Sequence, residues 1–254
     1  TSQVAGVGLL VETGEGASLI YDDLVQEYYA NHQPLKYALG FKITEEAISD
    51  GNFKFLKSGL HALNRSAHQV KQVNAFNVLN RAFNSSYTGP DAKELCATDH
   101  PSQSGSQRNE LTTAADLSFT SLSLAIRDMM DTTDSRGMNI EVKPDRLIIP
   151  NELVHDAREL LASTDRPDTA DRAVNSLRDD NLQLVQAHYL TDADAWFMAV
   201  SPQSEEYNVY FIEREDYKTD QEVDFDNGVV KVKGQMRHVT GWGDWRGLFA
   251  SPGA

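Results

Sequence analysis

The sequence predicts an α+β fold. Three observations carry this reading: an apolar stripe at helical spacing between Leu60 and Phe83, short apolar runs that alternate with helical segments, and an Asp226-Asn-Gly228 turn between two extended stretches. Helices and antiparallel hairpins mixed along one chain belong to that class. Asn-Gly between extended segments is a strong hairpin signal.

Each element follows from its own pattern. Residues 4–11 read as a strand, and a turn at 13–17 follows, where Gly14 and Gly16 are free to take positive φ. Residues 21–29 read as a short helix and 37–43 as a strand, so 4–44 form a long excursion that leaves the core and returns. Leu60, Leu63, Ala67, Val70, Val73, Phe76, Leu79 and Phe83 then recur three or four apart, with His61, Asn64, Arg65, His68, Lys71 and Gln72 opposite. The stripe spans about 36 Å at 1.5 Å per residue, well beyond the usual helix of about 11–12 residues. Residues 84–112 form a long irregular connection of the kind often used for binding. A helix is expected over 114–130, started by Thr113 and Asp116, with Leu117, Leu122, Ile126 and Met129 inward. A strand at 147–149 precedes a helix over 152–162, stopped and capped by Pro150 and Asn151, with Val154, Ala157, Leu160 and Leu161 inward. A short helix over 166–178 and strands at 182–185, 195–200, 209–212, 221–225 and 229–240 complete the reading.

Composition narrows the function. The 254 residues hold 23 basic and 38 acidic side chains, a net charge of −15. Such a surface argues against non-specific wrapping of nucleic acid, which needs phosphate neutralisation. Cys96 stands alone, so no internal disulfide forms. No apolar run reaches the length of a membrane span, and the first residues lack a signal-peptide pattern. The chain opens without methionine, as a processed product or a piece of a longer one would.

The candidate chemistry is weak. Gly6, Gly8, Gly14 and Gly16 lack the lysine and aspartate of nucleotide loops. Cys96, Asp99 and His100 cluster in sequence, but a nucleophile needs fixed mutual geometry and zinc needs further ligands; Cys96 reads as a partly buried loop thiol. Asp131, Asp134, Asp224 and Asp226 miss the glycine and glutamate positions of a calcium loop. No catalytic, metal or cofactor residue is assigned. Residues 205–228 hold nine acidic side chains against Arg214 and Lys218. They read as a solvated face, or as a patch that meets Arg65, Lys71, Arg81, Lys231, Lys233 or Arg237 of a neighbouring copy. Trp196, Trp242, Trp245 and Phe249 are the expected core anchors.

Several segments, in order, are similar to the major head subunit of Mu-like phages, a branch of the tailed-phage major capsid proteins. They are Leu95-Cys-Ala-Thr-Asp-His-Pro101 with Asn109 and Leu111-Thr-Thr-Ala-Ala-Asp-Leu117; Met130-Asp-Thr-Thr-Asp-Ser-Arg-Gly137 with Val142-Lys-Pro144 and Leu147-Ile-Ile-Pro150; Asn175-Ser-Leu177 and His188 through Phe197; and Met236-Arg237, Gly241-Trp-Gly-Asp-Trp-Arg-Gly247 and Ser251-Pro-Gly-Ala254. The resemblance covers about residues 40–254.

It implies a tailed-phage major capsid fold and a shell-building subunit without an active site. Residues 1–44 would be an extended loop reaching over a neighbour, 45–146 a peripheral domain with a spine helix, 147–205 an axial domain around the five-fold and six-fold axes, and 206–254 return strands and a last segment of the peripheral domain. The family's N-terminal arm has no counterpart here. Implied partners are further copies in pentamers and hexamers of a closed shell, a portal, a scaffold or maturation protease, decoration proteins, and packaged double-stranded DNA held without sequence preference; no membrane is implied. The place would be the virion capsid, assembled in the host cytoplasm. Candidate inter-subunit contacts are Glu15, Tyr21, Tyr28, Lys36, Arg65, Lys71, Arg81, Asp224 and Asp226. Some tailed-phage shells join a loop lysine to an asparagine of a neighbour; Lys36 and Lys42 lie in or near the loop here, but the resemblance does not by itself imply a cross-link and no partner is named. An inward-facing acidic surface would let DNA slide. The alternatives are a non-capsid scaffold module, or a hydrolase using Asp99 and His100.

Overall fold

The structure is a computed structural model. It describes residues 2–4, 10, 12, 18, 21–23, 26–51, 53–166, 173–201, 207, 209–224 and 226–254. In chain order the elements are β1 (Ser2–Val4), β2 (Gln26–Tyr29), β3 (Leu35–Thr44), α1 (Glu45–Ser49), α2 (Phe53–Asn80), α3 (Phe119–Met130), β4 (Arg146–Ile149), α4 (Val154–Ala162), a 3-10 turn (Ser176–Asp180), β5 (Gln183–Gln186), β6 (Trp196–Ala199), β7 (Val209–Asp224), β8 (Val229–Trp242) and β9 (Leu248–Ser251). They divide into two compact units. The first comprises Thr1–Asn31, Leu79–Val209 and Trp242–Ala254; the second, His32–Val78 and Tyr210–Gly241.

The first unit holds a four-stranded sheet ordered β5-β4-β6-β9. β4 runs parallel to β5 and antiparallel to β6, and β6 pairs antiparallel with β9, so that Leu147, Met198 and Phe249 align across three strands. These side chains are buried with Leu122, Met129, Ile149, Ala157 and Trp196 in one apolar core. β4 reads Arg-Leu-Ile-Ile and alternates, with Leu147 and Ile149 fully buried.

α3 starts five residues later than the expected 114. Ser118 and Ser121 form a reciprocal cap, with the Ser121 N–H donating to Ser118 Oγ at 3.2 Å and the Ser118 N–H to Ser121 Oγ at 2.9 Å. Ala115 is held out of the helix because its N–H donates to Ser251 Oγ and its carbonyl accepts from Trp196 Nε1, both at 3.1 Å. α4 also starts late, at Val154. Asn151 does not cap it, because its side-chain oxygen accepts from Gln186 Nε2 at 2.8 Å. Of the helix expected over 166–178, residues 173–175 are not helical and Ser176–Asp180 form the 3-10 turn. Buried Asn175 caps that turn at Leu177 and donates to the carbonyls of Leu160 and Ser163; residues 167–172 lie outside the described residues. The expected helix over 21–29 is also corrected, since Gln26–Tyr29 is a strand paired with β1, Tyr29 opposite Ser2. The turn expected at 13–17, and most of the strand expected over 4–11, lie outside the described residues.

The second unit holds most of α2 and a three-stranded sheet ordered β3-β8-β7. β3 and β8 pair antiparallel over ten positions, from Leu35 with His238 to Thr44 with Val229. Odd-numbered β3 residues face the helix: the Phe41 ring lies where a side chain on Gly59 would stand, and Tyr37 stacks on His238, whose Nε2 bonds Asn74 of α2 at 3.0 Å. The helix begins at Phe53, ahead of the apolar stripe, and ends at Asn80, short of Phe83. The two strands expected at 209–212 and 221–225 are one strand, β7. Gly228 closes the hairpin in the left-handed region at φ +57°, its N–H bonded to the Asp224 carbonyl at 2.9 Å.

Candidate assembly surfaces

The 84–112 connection is organised by a buried polar cluster in the first unit. His100 is fully buried, with Nδ1 2.6 Å from Asp91 Oδ2 and Nε2 3.0 Å from Asn109 Oδ1. Asn109 Nδ2 donates to the Leu95 carbonyl at 2.8 Å, which fixes its oxygen as the acceptor for both Ala97 N–H and His100 Nε2. The imidazole stacks on Trp245 at 4.2 Å and 10°. Asn109 and Trp245 thus clamp the loop from either side, through satisfied hydrogen bonds.

This geometry corrects the hydrolase alternative. Asp99 does not address His100 but pairs with Lys93 at the surface. Both imidazole nitrogens are hydrogen-bonded within the fold and the ring is sealed from solvent, so His100 presents no free nitrogen to a substrate. Cys96 is wholly buried rather than partly so, and burial pushes its thiol well above the ordinary value, away from the thiolate a nucleophile needs. Among the described residues no group of three His, Cys, Asp or Glu side chains could hold a metal, and no helix is long and apolar enough to cross a membrane.

The candidate contacts fall into distinct settings. Glu15 lies outside the described residues. Tyr21 is exposed, and the Tyr28 hydroxyl donates to the Pro101 carbonyl at 3.3 Å. Lys36 is exposed on β3 and Arg65 on α2, while Arg81 is exposed with its guanidinium 4.3 Å from the Tyr87 ring. Asp226 is exposed in the β7–β8 turn. Lys71 is bound within its own unit, to Glu213 and Asp216, and its ammonium is held above the ordinary range chiefly by the Glu213 hydrogen bond. Asp224 is bound by Lys231 at 2.7 Å, which lowers its carboxyl.

The acidic stretch is therefore largely met from inside the chain. Arg237 reaches Glu215 at 3.2 Å and Lys233 reaches Asp220 at 3.7 Å. Four of the six bases expected to come from a neighbour, Lys71, Lys231, Lys233 and Arg237, are engaged this way. The signal was present in the hairpin turn, which lays the bases of 229–240 beside the acids of 213–224. Two further arrangements were not foreseen. Arg136 binds Asp22 and donates to the Asp23 carbonyl at 2.9 Å, and buried Arg246 joins Asp244 at 2.9 Å and the Thr133 carbonyl at 3.0 Å. Of the core anchors, Trp196, Trp245 and Phe249 are buried. Trp242 is only half-buried, its Nε1 lying 2.7 Å from where a Gly89 Cβ would stand.

The described surfaces thus offer charged and apolar contact area but no catalytic constellation. The family model described as phage capsid protein matches residues 29–251. The chain belongs to that family. Solved structures of this capsid protein's relatives share its fold. The capsid of bacteriophage JBD30 decorated with minor capsid protein trimers aligns at a TM-score of 0.55 and 13% identity, over 75% of this chain and 85% of that one. The capsid of cyanophage P-SCSP1u gives 0.55 and 13%, over 100% and 83%. The asymmetric unit of the bacteriophage PhiM1 mature capsid gives 0.54 and 11%, over 99% and 80%. No curated protein matches the sequence. The family makes the chain a phage capsid protein, a structural shell subunit, and its fold is the one those capsid structures share.

Proposed function

We propose that this capsid protein self-assembles through pentamers and hexamers into a closed icosahedral head around double-stranded phage DNA, without catalysis. The observation that carries the reading is the family match over residues 29–251. Within the family, the ordered segments from Leu95 to Ala254 favour the Mu-like branch. Residues 1–44 act as the extended loop, 45–146 as the peripheral domain with α2 as its spine, 147–205 as the axial domain and 206–254 as the return segment. Three of the four strands in the first unit's sheet, β4, β5 and β6, come from between Arg146 and Ala199, which supports an axial segment whose sheet is edged by β9 of the return segment.

The charge distribution supports a wall that does not grip DNA. The first unit carries 12 basic and 28 acidic residues, a net of −16, and the second carries 11 and 10, a net of +1. An acidic inner surface would repel the genome and let it slide during packaging. The remaining partners are a portal, a scaffold or maturation protease, and decoration proteins, with assembly in the host cytoplasm. The test is negative-stain imaging of the full-length protein co-expressed with its neighbouring head genes. Closed shells, or rings of five and six, are expected; monodisperse monomers alone and in co-expression would overturn the reading.

A further inference from the structure

We infer that the open edge of β3 is a docking strand for the acidic β7 edge of a second copy. The inference rests on the shell-subunit reading and specifies one of its interfaces. β3 and β7 are the two edges of the second unit's sheet. An edge strand presents unpaired backbone donors and acceptors, and proteins usually blunt it with charge, bulges or a cover. β7 is blunted: its sixteen residues hold six carboxylates and two bases. β3 is not. Its sequence Leu-Lys-Tyr-Ala-Leu-Gly-Phe-Lys-Ile-Thr is rich in strand formers, and Leu35 and Leu39 are each 59% exposed.

The charges across the sheet point to the occupant. On the face away from α2, Lys36 lies opposite Arg237 and Lys42 opposite Lys231. Like charges directly opposite each other in a sheet repel. Arg237 and Lys231 are each relieved on their far side by a β7 carboxylate, Glu215 and Asp224. Lys36 and Lys42 have no carboxylate partner among the described residues. Each row across the sheet therefore reads base, base, acid from β3 to β7. An acidic strand added at β3 would complete it as acid, base, base, acid. β7 offers a free backbone edge and more acids than bases, with Glu222 in no ion pair among the described residues. Copies joined β3 to β7 make a heterologous contact, the kind that closes into rings when the rotation permits.

The test uses the full-length protein assembled in co-expression with its head genes, from a mixture of unlabelled and heavy-nitrogen chains. A zero-length carbodiimide reagent joins touching lysine and carboxylate groups, and mass spectrometry reads the joined peptides. Hybrid light–heavy peptides linking Lys36 or Lys42 to a carboxylate of 213–224 are expected in particles and absent from unassembled chains. In parallel, Lys36→Glu with Lys42→Glu puts anions opposite Arg237 and Lys231. The folded subunit should melt no lower, while particle yield falls by about tenfold or more through like-charge contact with β7. Adding Glu222→Lys should restore part of the yield. Particles without these hybrid links, or full yield from the double reversal, overturn the inference and leave the shell reading intact. No particles from the unaltered protein overturns both.

Discussion

The two units stabilise themselves by opposite means. In the first, Trp196, Phe197, Met198, Leu147, Ile149 and Phe249 are essentially sealed from solvent, and the unit tolerates a net charge of −16. In the second, few apolar side chains are buried, Ile43, Leu63, Val232 and Met236 among them, and β7 is exposed along most of its length. That unit is almost neutral, and its acids and bases are matched across strands. A deep core supplies enough apolar burial to outweigh self-repulsion. A thin layer of one helix on one sheet lacks that reserve and relies on cross-strand pairs.

The largest effect should come from the first unit's centre. Trp196→Ala removes a fully buried ring and its hydrogen bond to the Ala115 carbonyl, and should cost about 3–5 kcal/mol in denaturant unfolding. The same change at half-buried Trp242 should cost clearly less, and equal losses would break the distinction between the two rings. Next comes His100→Phe, which keeps the stack on Trp245 but strands Asp91 and Asn109. It should cost about 1–3 kcal/mol and open the 84–112 connection to proteolysis; unchanged protease resistance would show that the clamp does not hold the loop.

A smaller effect separates the units by pH. His238 is buried between Tyr37 and Phe211, and burial, helped by the charge on Lys71, lowers its pKa, with Glu213 opposing weakly. A base whose folded pKa is lowered contributes stability that is complete above its ordinary value of about 6.5 and declines as pH falls through that window. Hydrogen-exchange protection in β8, taken relative to the intrinsic rate at each pH, should therefore fall from pH 7 to pH 5, and His238→Phe should remove that fall. The smallest effect is that of salt. Screening weakens the pairs of the second unit and relieves repulsion in the first. Added salt should speed exchange in β7 and β8 and slow it in β4 and β6; a shift of the same sign in both would remove the electrostatic contrast.

What the sequence revealed followed the range of each signal. The spine helix and the last hairpin were legible because a three-and-four apolar spacing and an Asn-Gly turn are local. The start of α3 was not, because Ala115 is withheld from the helix by Ser251, 136 residues later. Residues 26–29 read as helical because their pairing with Ser2–Val4 is invisible to local periodicity. The pairing of Lys71 with the acidic stretch was not legible, because Lys71 lies 145 residues from Asp216 in the chain. The Asp91–His100–Asn109 cluster lay within one loop, yet only the fold distinguishes it from a catalytic pair. The family itself was legible through ordered motifs rather than through any physical pattern.

The place of β9 in the first unit sets a timetable for biosynthesis. Leu248–Ser251 supplies Phe249 to the core, pairs with β6 and anchors Ala115. A ribosome adds about 5–20 residues per second and releases them from the amino end. The centre of this unit therefore stays open until nearly the whole stretch described here has emerged. A chain cut short before Leu248 lacks the strand that seals it, so a truncated product would reach quality control with its core exposed rather than enter a growing shell as a defective tile.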